Sequence, residues 1–339
     1  MPQTSFVQPG LTLQKGIANS QQVRDLQQAL RELGYLRGGV DGNFGSGTEA
    51  GVKALQFDLL NNDGKGSDGQ APVMIKSYNK ARVASVTGVC DQNTAQCIVD
   101  MLNDPQFIRL PIAADPVQAN KSVVAKIAAA KSVEVPIRFI ASILKQESDL
   151  KHYNETDAVI TLGLDTNNAA QTFAITSRGY GAGQFTIFHH PPRQEEVDDF
   201  MNNVDKNLSK AEGELREKFD KFVNGPSSKA DDRQAEIGSG PLRVCKYASS
   251  DPRYLTDCRQ CAVDAGSRNI VENVTPVYNG SPMLFTPTQY YASGNYSNIP
   301  KREAIGCDWP YAVRRYNGGG INSYHYQVRI LRNVRDLVL

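Results

Sequence analysis

One stretch near the N-terminus limits the fold more than any other. Between Ser20 and Gly34, the residues Val23, Leu26, Leu30 and Leu33 recur at the steps of a helix that buries one face. Ser20 offers a side-chain oxygen to the free amide hydrogens of the first turn, and Gly34 suits a left-handed stop. Asp41-Gly42-Asn43-Phe44-Gly45 then reads as a turn. A second helix is expected from Ser46, with Glu49 completing a capping box and Val52 and Leu55 on the apolar face.

A weak internal repeat follows. Gly42 to Thr48 has the same six-residue step as Gly88 to Thr94, and each threonine stands near the start of an expected helix. The later helix carries Ile98, Val99 and Leu102. Between the halves, residues 61–70 are rich in Gly, Asp and Asn and read as an exposed loop.

The segment VRDLQQALRELGYLRGGVDGNFGSGTEAGVKALQ resembles the first half of the common three-helix peptidoglycan-binding domain. VTGVCDQNTAQCIVDML resembles its closing segment. The pattern is Leu-Gly-Tyr-Leu, then Asp-Gly-x-Phe-Gly, then Thr, and the resemblance covers about residues 20–102. Most of these side chains build a helical core, so the implied wall binding belongs to the module as a whole rather than to any one residue.

The chain has 339 residues, which is long for one core and suggests two domains. Its net charge of +1 and the absence of a polybasic run argue against a nucleic-acid partner. No stretch approaches the ~18 consecutive apolar residues of a membrane span. Met1-Pro2-Gln3-Thr4-Ser5 has no basic start or apolar run, so no secretory signal is read. Six cysteines nevertheless suit an oxidising destination. A signal-independent route to the periplasm or wall of a host or target bacterium reconciles the two. Phage lysis and contact-dependent injection are such routes, and the second would add a secretion-system component or an immunity protein as partner.

Residues 103–116 hold three prolines and no clear period, and read as a linker. A helix is expected over Val117–Lys131. In VEVPIRFIASILKQES, Pro136 suits a first helical position, and Ile137, Ile140, Ala141 and Leu144 share a face with Phe139 and Ile143 beside it. Four residues beyond Ile143, Glu147 falls beside the buried stripe, where burial would raise its pKa and keep it protonated for glycosidic cleavage. The plainer reading is a solvated glutamate at the unfavourable negative end of a helix.

Two further segments bear on this choice. RGYGAGQFT, Arg178 to Thr186, holds three glycines and two aromatics, which fits a backbone that closely approaches a ligand or a simple Gly-rich turn. RRYNGGG, Arg314 to Gly320, is followed by Tyr324 and Tyr326, and reads as a sugar-binding edge or a helix stop. A last helix is expected over Val328–Leu339.

In order, these three segments resemble the lysozyme-like lytic transglycosylases. Glu147-Ser148 matches the Glu-Ser helix end. Gly183-Gln184 matches the family's Met-Gln, with Gly183 where the Met usually stands. Arg315-Tyr316-Asn317-Gly318-Gly319 matches Ala-Tyr-Asn-x-Gly, with Arg315 in place of the alanine. The resemblance covers about residues 117–190 and 305–339, and implies Glu147 as general acid/base with Ser148, Gln184, Tyr316 and Asn317 at the substrate. No metal and no cofactor are implied.

The expected fold is mainly α. A wall-binding domain at 20–102 precedes a larger lysozyme-like α-rich domain at 117–339, with an insertion at about 191–304. Its first part, Glu195 to Asn224, reads as one long amphipathic helix. The implied reaction is cleavage of the β-1,4 bond between N-acetylmuramic acid and N-acetylglucosamine, by a lytic transglycosylase or by a muramidase. A muramidase would favour a second carboxylate, for which Asp149, Glu155, Asp157 and Asp165 are near in sequence. A non-catalytic wall-binding protein is the reading from another class.

Cys90 and Cys97 flank the start of a helix, where a disulfide is expected. Cys245, Cys258, Cys261 and Cys307 suit two further disulfides of unassigned pairing, with zinc as the alternative because Cys258 and Cys261 have the spacing of half a zinc knuckle. His152 and the pair His189-His190 invite a metal reading, but adjacent histidines before Pro191-Pro192 read better as a loop.

Overall fold

The computed structural model describes residues 4–64, 73–132, 134–155, 160–165, 168–169, 171–224, 241–256, 306–317 and 321–339. Among these are nine α-helices and one three-stranded antiparallel sheet, so the chain is mainly α. They form two compact units that do not follow chain order. The first comprises residues 1–121 and 151–207, the second residues 122–150 and 208–339. Division into 20–102 and 117–339 is therefore not what the packing shows.

In the first unit, α1 (Gln21–Glu32) is capped by Ser20, whose side chain accepts from the Val23 amide. Val23, Leu26, Leu30 and Leu33 are all buried. Gly34 ends the helix at φ +78°, as its position suggests. Helix α2 (Ser46–Asn61) starts at Ser46 as expected, but Gly45 is the N-cap and no side chain caps it. Glu49 does not complete a capping box; it pairs instead with Lys53 at 2.9 Å and Lys15 at 3.2 Å. Helix α3 (Gln92–Asn103) is capped by Asp91, which accepts from the Thr94 amide at 2.8 Å.

The internal repeat has a structural cause. The Gln27 side chain donates to Asp41 Oδ1, the Asn43 carbonyl and Thr48 Oγ1, and its oxygen accepts from the amides of Asp41 and Gly42. Gln56 makes the same set one repeat later. It donates to Thr87 Oγ1, the Val89 carbonyl and Thr94 Oγ1, and accepts from the amides of Thr87 and Gly88. Both glutamines are buried, so two amides and one carbonyl of each turn are satisfied without water. Gly42 and Gly88 stand at φ +79° and +76°, which explains why both are glycine.

The disulfide expected between Cys90 and Cys97 is absent, and both thiols are free and buried. The Cys90 backbone pairs with Leu13 in an isolated bridge, while Cys97 Sγ lies 3.8 Å from the Asn79 carbonyl.

The residues expected to form a linker are also part of the first unit. Phe107, Ile108 and Leu110 are buried, and the Leu110 amide donates to the Glu32 carbonyl at 2.9 Å. An extended segment with alternating burial shows no helical period, which is why it reads as a linker from sequence. Strands β1 (Ile160–Leu164), β2 (Ile175–Tyr180) and β3 (Phe185–Ile187) lie in that order, with Leu162 opposite Arg178 and Tyr180 opposite Phe185. Ile175, Leu162 and Leu164 pack into the core built by α1, α2 and α3.

Helix α4 spans Pro116–Ala129. The long helix expected over 195–224 is two helices, α6 (Gln194–Met201) and α7 (Val204–Lys218), followed by a π-turn over Phe219–Val223. The Asn202-Asn203 pair makes the break, and the Asn203 side chain accepts from the Lys206 amide as a new cap.

The second unit is built around α5 (Ile137–Ser148), α8 (Trp309–Tyr316) and α9 (Ile321–Asp336). Pro136 is the N-cap of α5 rather than its first helical residue. Asn333 donates to the Ser142 carbonyl at 3.2 Å and Arg138 Nη2 to the Leu337 carbonyl at 2.6 Å, which fixes α9 along α5. Gln327 donates to the Pro310 carbonyl at 2.9 Å and ties α9 to α8. Trp309 stacks on Phe219 with ring centroids 4.1 Å apart. Cys245 and Cys307 are not bonded to each other, and Cys258 and Cys261 lie outside the described residues.

Candidate active site

The site in the second unit follows from the apolar stripe of α5. Phe139, Ile140, Ile143 and Leu144 are fully buried, and Glu147 continues the same face one turn later. Asp149 then takes the left-handed conformation at φ +56° and stops the helix, leaving Glu147 in the last turn. Helix α9 brings Tyr326 against it, and the Tyr326 hydroxyl donates to Glu147 Oε1 at 2.6 Å. Tyr316, the last residue of α8, lies parallel to Tyr326, with ring centroids 6.4 Å apart at an interplanar angle of 4°.

The electrostatics favour a protonated carboxyl. Burial pushes Glu147 above the ordinary carboxylate range, and the Tyr326 hydrogen bond pulls it only partly back. The negative end of the α5 dipole acts in the same direction as burial. Burial and the nearby Glu147 charge push both Tyr326 and Tyr316 upward, so both remain neutral donors.

Of the residues expected at the site, Glu147 and Tyr316 come together through Tyr326. Ser148 is buried, and its hydroxyl donates back to the Leu144 carbonyl at 3.0 Å. Asn317 is exposed as the C-cap of α8, its backbone amide donating to the Arg315 carbonyl. Arg315, the departure from the alanine of the motif, places its guanidinium over the Phe222 ring, 5.0 Å from the centroid. Gly318 and Gly319 lie outside the described residues, as does Asp157.

Gln184 belongs to the first unit. It sits at φ +48° and its side chain donates to the Gly181 carbonyl at 2.8 Å. The turn that carries it is held from within. His152 Nδ1 accepts from the Ala182 amide at 3.1 Å while Nε2 faces the Met201 carbonyl at 2.9 Å, which fixes the Nε2–H tautomer. Asn207 accepts from the Gly183 amide at 2.7 Å and donates to the Tyr180 carbonyl at 3.0 Å. A Cβ at Gly181 would fall 2.5 Å from the His152 ring, so this glycine is required by packing as well as by its φ of +67°.

The acids considered as second carboxylates fall elsewhere. Asp149 is exposed and bonded to Lys145. Glu155 accepts from Asn120 at 3.0 Å and, like Asp165, belongs to the first unit. Glu214 on α7, which sequence reasoning did not single out, adds its charge to the larger one of Glu147 at Tyr316. Tyr326 was visible only as part of an aromatic edge. A helix beginning at Ile321 would have placed Tyr326, Ile330 and Val334 on one buried face at four-residue steps, but the expected helix began too late to include it.

Residues 19–61 match the family described as a putative peptidoglycan binding domain. The match covers α1, the intervening turn and α2, including the first glutamine clamp. Association with peptidoglycan stands on it. No curated protein and no solved structure matches the chain. Among the described residues, no helix is long and apolar enough to cross a membrane.

Tyr326→Phe removes a hydrogen bond that favours the charged form of Glu147. The carboxyl midpoint should therefore move to higher pH. Carbon-13 NMR of the glutamate side-chain carboxyls, with Glu147→Gln for assignment, reads this directly. A midpoint that stays or falls contradicts the arrangement.

Proposed function

We infer that the chain cleaves the glycan strands of peptidoglycan as a lytic transglycosylase, with Glu147 as general acid and then base. The observation that carries the reading is a half-buried glutamic acid, pushed towards its protonated form by desolvation and held by a tyrosine hydroxyl. Such a group protonates the departing glycosidic oxygen. The resulting carboxylate then accepts the proton of the muramyl C6 hydroxyl as that oxygen closes on C1. No water enters, and no second carboxylate is required. Tyr326 positions the acid, and the motif resemblance makes Tyr316 and Asn317 the sugar contacts. The order of the three motifs supports this reading, as does the wall-binding match that precedes them.

A hydrolytic reading needs a second acid to activate water, and Glu214 on α7 lies in the same unit as Glu147, paired with Lys218. The product separates the two. Mass spectrometry of muropeptides released from purified sacculi should show 1,6-anhydro ends, lighter by one water than the hydrolysis product. Reducing ends alone would replace the transglycosylase by a muramidase. No fall in turbidity would remove both.

A further inference from the structure

We propose that the first unit binds the peptide stem of peptidoglycan, rather than its sugars, in a groove between α2 and β1. The site deepens the peptidoglycan reading of the matched segment and is independent of the cleavage assigned to Glu147. The groove has a volume of about 580 Å³. Its floor is the face of α2 formed by Gly47, Ala50, Gly51 and Ala54, at helical three- and four-residue steps. Leu162 and Leu164 of β1 form a wall. Arg37, exposed on the turn after α1, stands at the rim.

Its chemistry selects the ligand. Sugars are held by exposed aromatic faces and by hydrogen-bonding side chains. The aromatic residue here is Tyr35, only 1% exposed, and its hydroxyl is committed to Asp58. What the groove presents is a methyl-lined trough with one guanidinium. A Cβ at Gly47 would meet nothing within 4 Å, so the floor is open above it. The complementary ligand is a short chain of small side chains that ends in a carboxylate, which the Arg37 fork can hold in a bidentate pair. Alanyl residues with a free carboxyl terminus, as in the wall's stem peptides, have that chemistry. Residues 35–54 of this lining fall within the segment matched as peptidoglycan-binding, while the leucine wall comes from outside it.

The test uses the full-length Glu147→Gln chain, so binding is read without turnover. Alanine and leucine methyls are followed by NMR while L-alanyl-γ-D-glutamyl-L-lysyl-D-alanyl-D-alanine is added. The Ala50, Ala54, Leu162 and Leu164 methyls should shift. Arg37→Gln should weaken binding about ten-fold, the effect of roughly one lost charge-assisted pair. The C-terminal carboxamide of the peptide should bind equally weakly and lose its sensitivity to Arg37→Gln. Ala50→Phe should abolish binding; should that variant fold poorly, the exposed Arg37→Gln carries the test alone. Shifts of these methyls by chitohexaose but not by the peptide would overturn the proposal, as would equal binding of acid and carboxamide. Because the titration does not require Glu147, its outcome is separate from that of the cleavage assay.

Discussion

Glu147→Gln should lower release of soluble fragments from purified sacculi by at least ~100-fold, the scale of losing a general acid, while pelleting with sacculi persists. The substitution keeps the side chain's shape and its contact with Tyr326. It removes the proton that must reach the glycosidic oxygen. The raised pKa gives this a pH signature as well. A general acid works in its protonated form, so the parent activity should fall as pH rises through the Glu147 midpoint. Because burial sets that midpoint above the usual carboxylate range, the alkaline limb should lie above that of an exposed glutamate. Undiminished cleavage by the variant would move the chemistry elsewhere. Loss of pelleting together with cleavage would mean that the fold, and not the acid, had been lost.

The second large effect is expected far from this chemistry, at Asp58. Its Oδ2 accepts from the Tyr35 hydroxyl at 2.7 Å and faces His190 Nε2 at 2.6 Å. Arg178 lies over the Tyr35 ring, 5.2 Å from the centroid. All four residues are buried, and burial lowers the basicity of His190 while Asp58 acts in the opposite direction. Asp58→Ala leaves two buried donors without an acceptor beside a buried cation. Removing one partner from such a cluster costs about 3–5 kcal/mol. Denaturant unfolding should show that loss, and hydrogen exchange should rise in both α2 and the segment around residues 175–190. Replacing Asp58 by Leu together with both Tyr35 and His190 by Phe should recover part of it, because apolar side chains of similar volume need no partners. A change below ~1 kcal/mol for Asp58→Ala would show that the cluster does not hold this unit together.

The Asp58 cluster also marks where sequence reading stops. The helices around Leu26 and Leu55 were legible because helix periodicity and caps are local; each signal sits within a few residues of what it controls. The repeat from Gly42 to Gly88 was legible as spacing, but its cause was not. Gln27 and Gln56 read as ordinary helical residues until the turns they clamp fold back on them. Glu147 could be picked out because a buried stripe extended one turn reaches it. Tyr326, 179 residues further along, could not be paired with it, since no local pattern encodes which helix lies beside α5.

Boundaries failed for the same reason. A linker and a second domain were expected from composition and chain order, whereas Leu110, Ile175, Arg178 and His190 pack with α1, α2 and α3 in one unit. The two thiols of Cys90 and Cys97 looked bridgeable by spacing, yet they are not bonded to each other: the Cys90 backbone pairs with Leu13 and the Cys97 sulfur faces the Asn79 carbonyl. The sequence by itself determined the helices around Leu26 and Leu55, the Ser20 cap and the chemical type of the acid. Only the tertiary structure decided which distant side chains surround each polar group, because burial and hydrogen-bond partners are properties of the packed chain rather than of any segment within it.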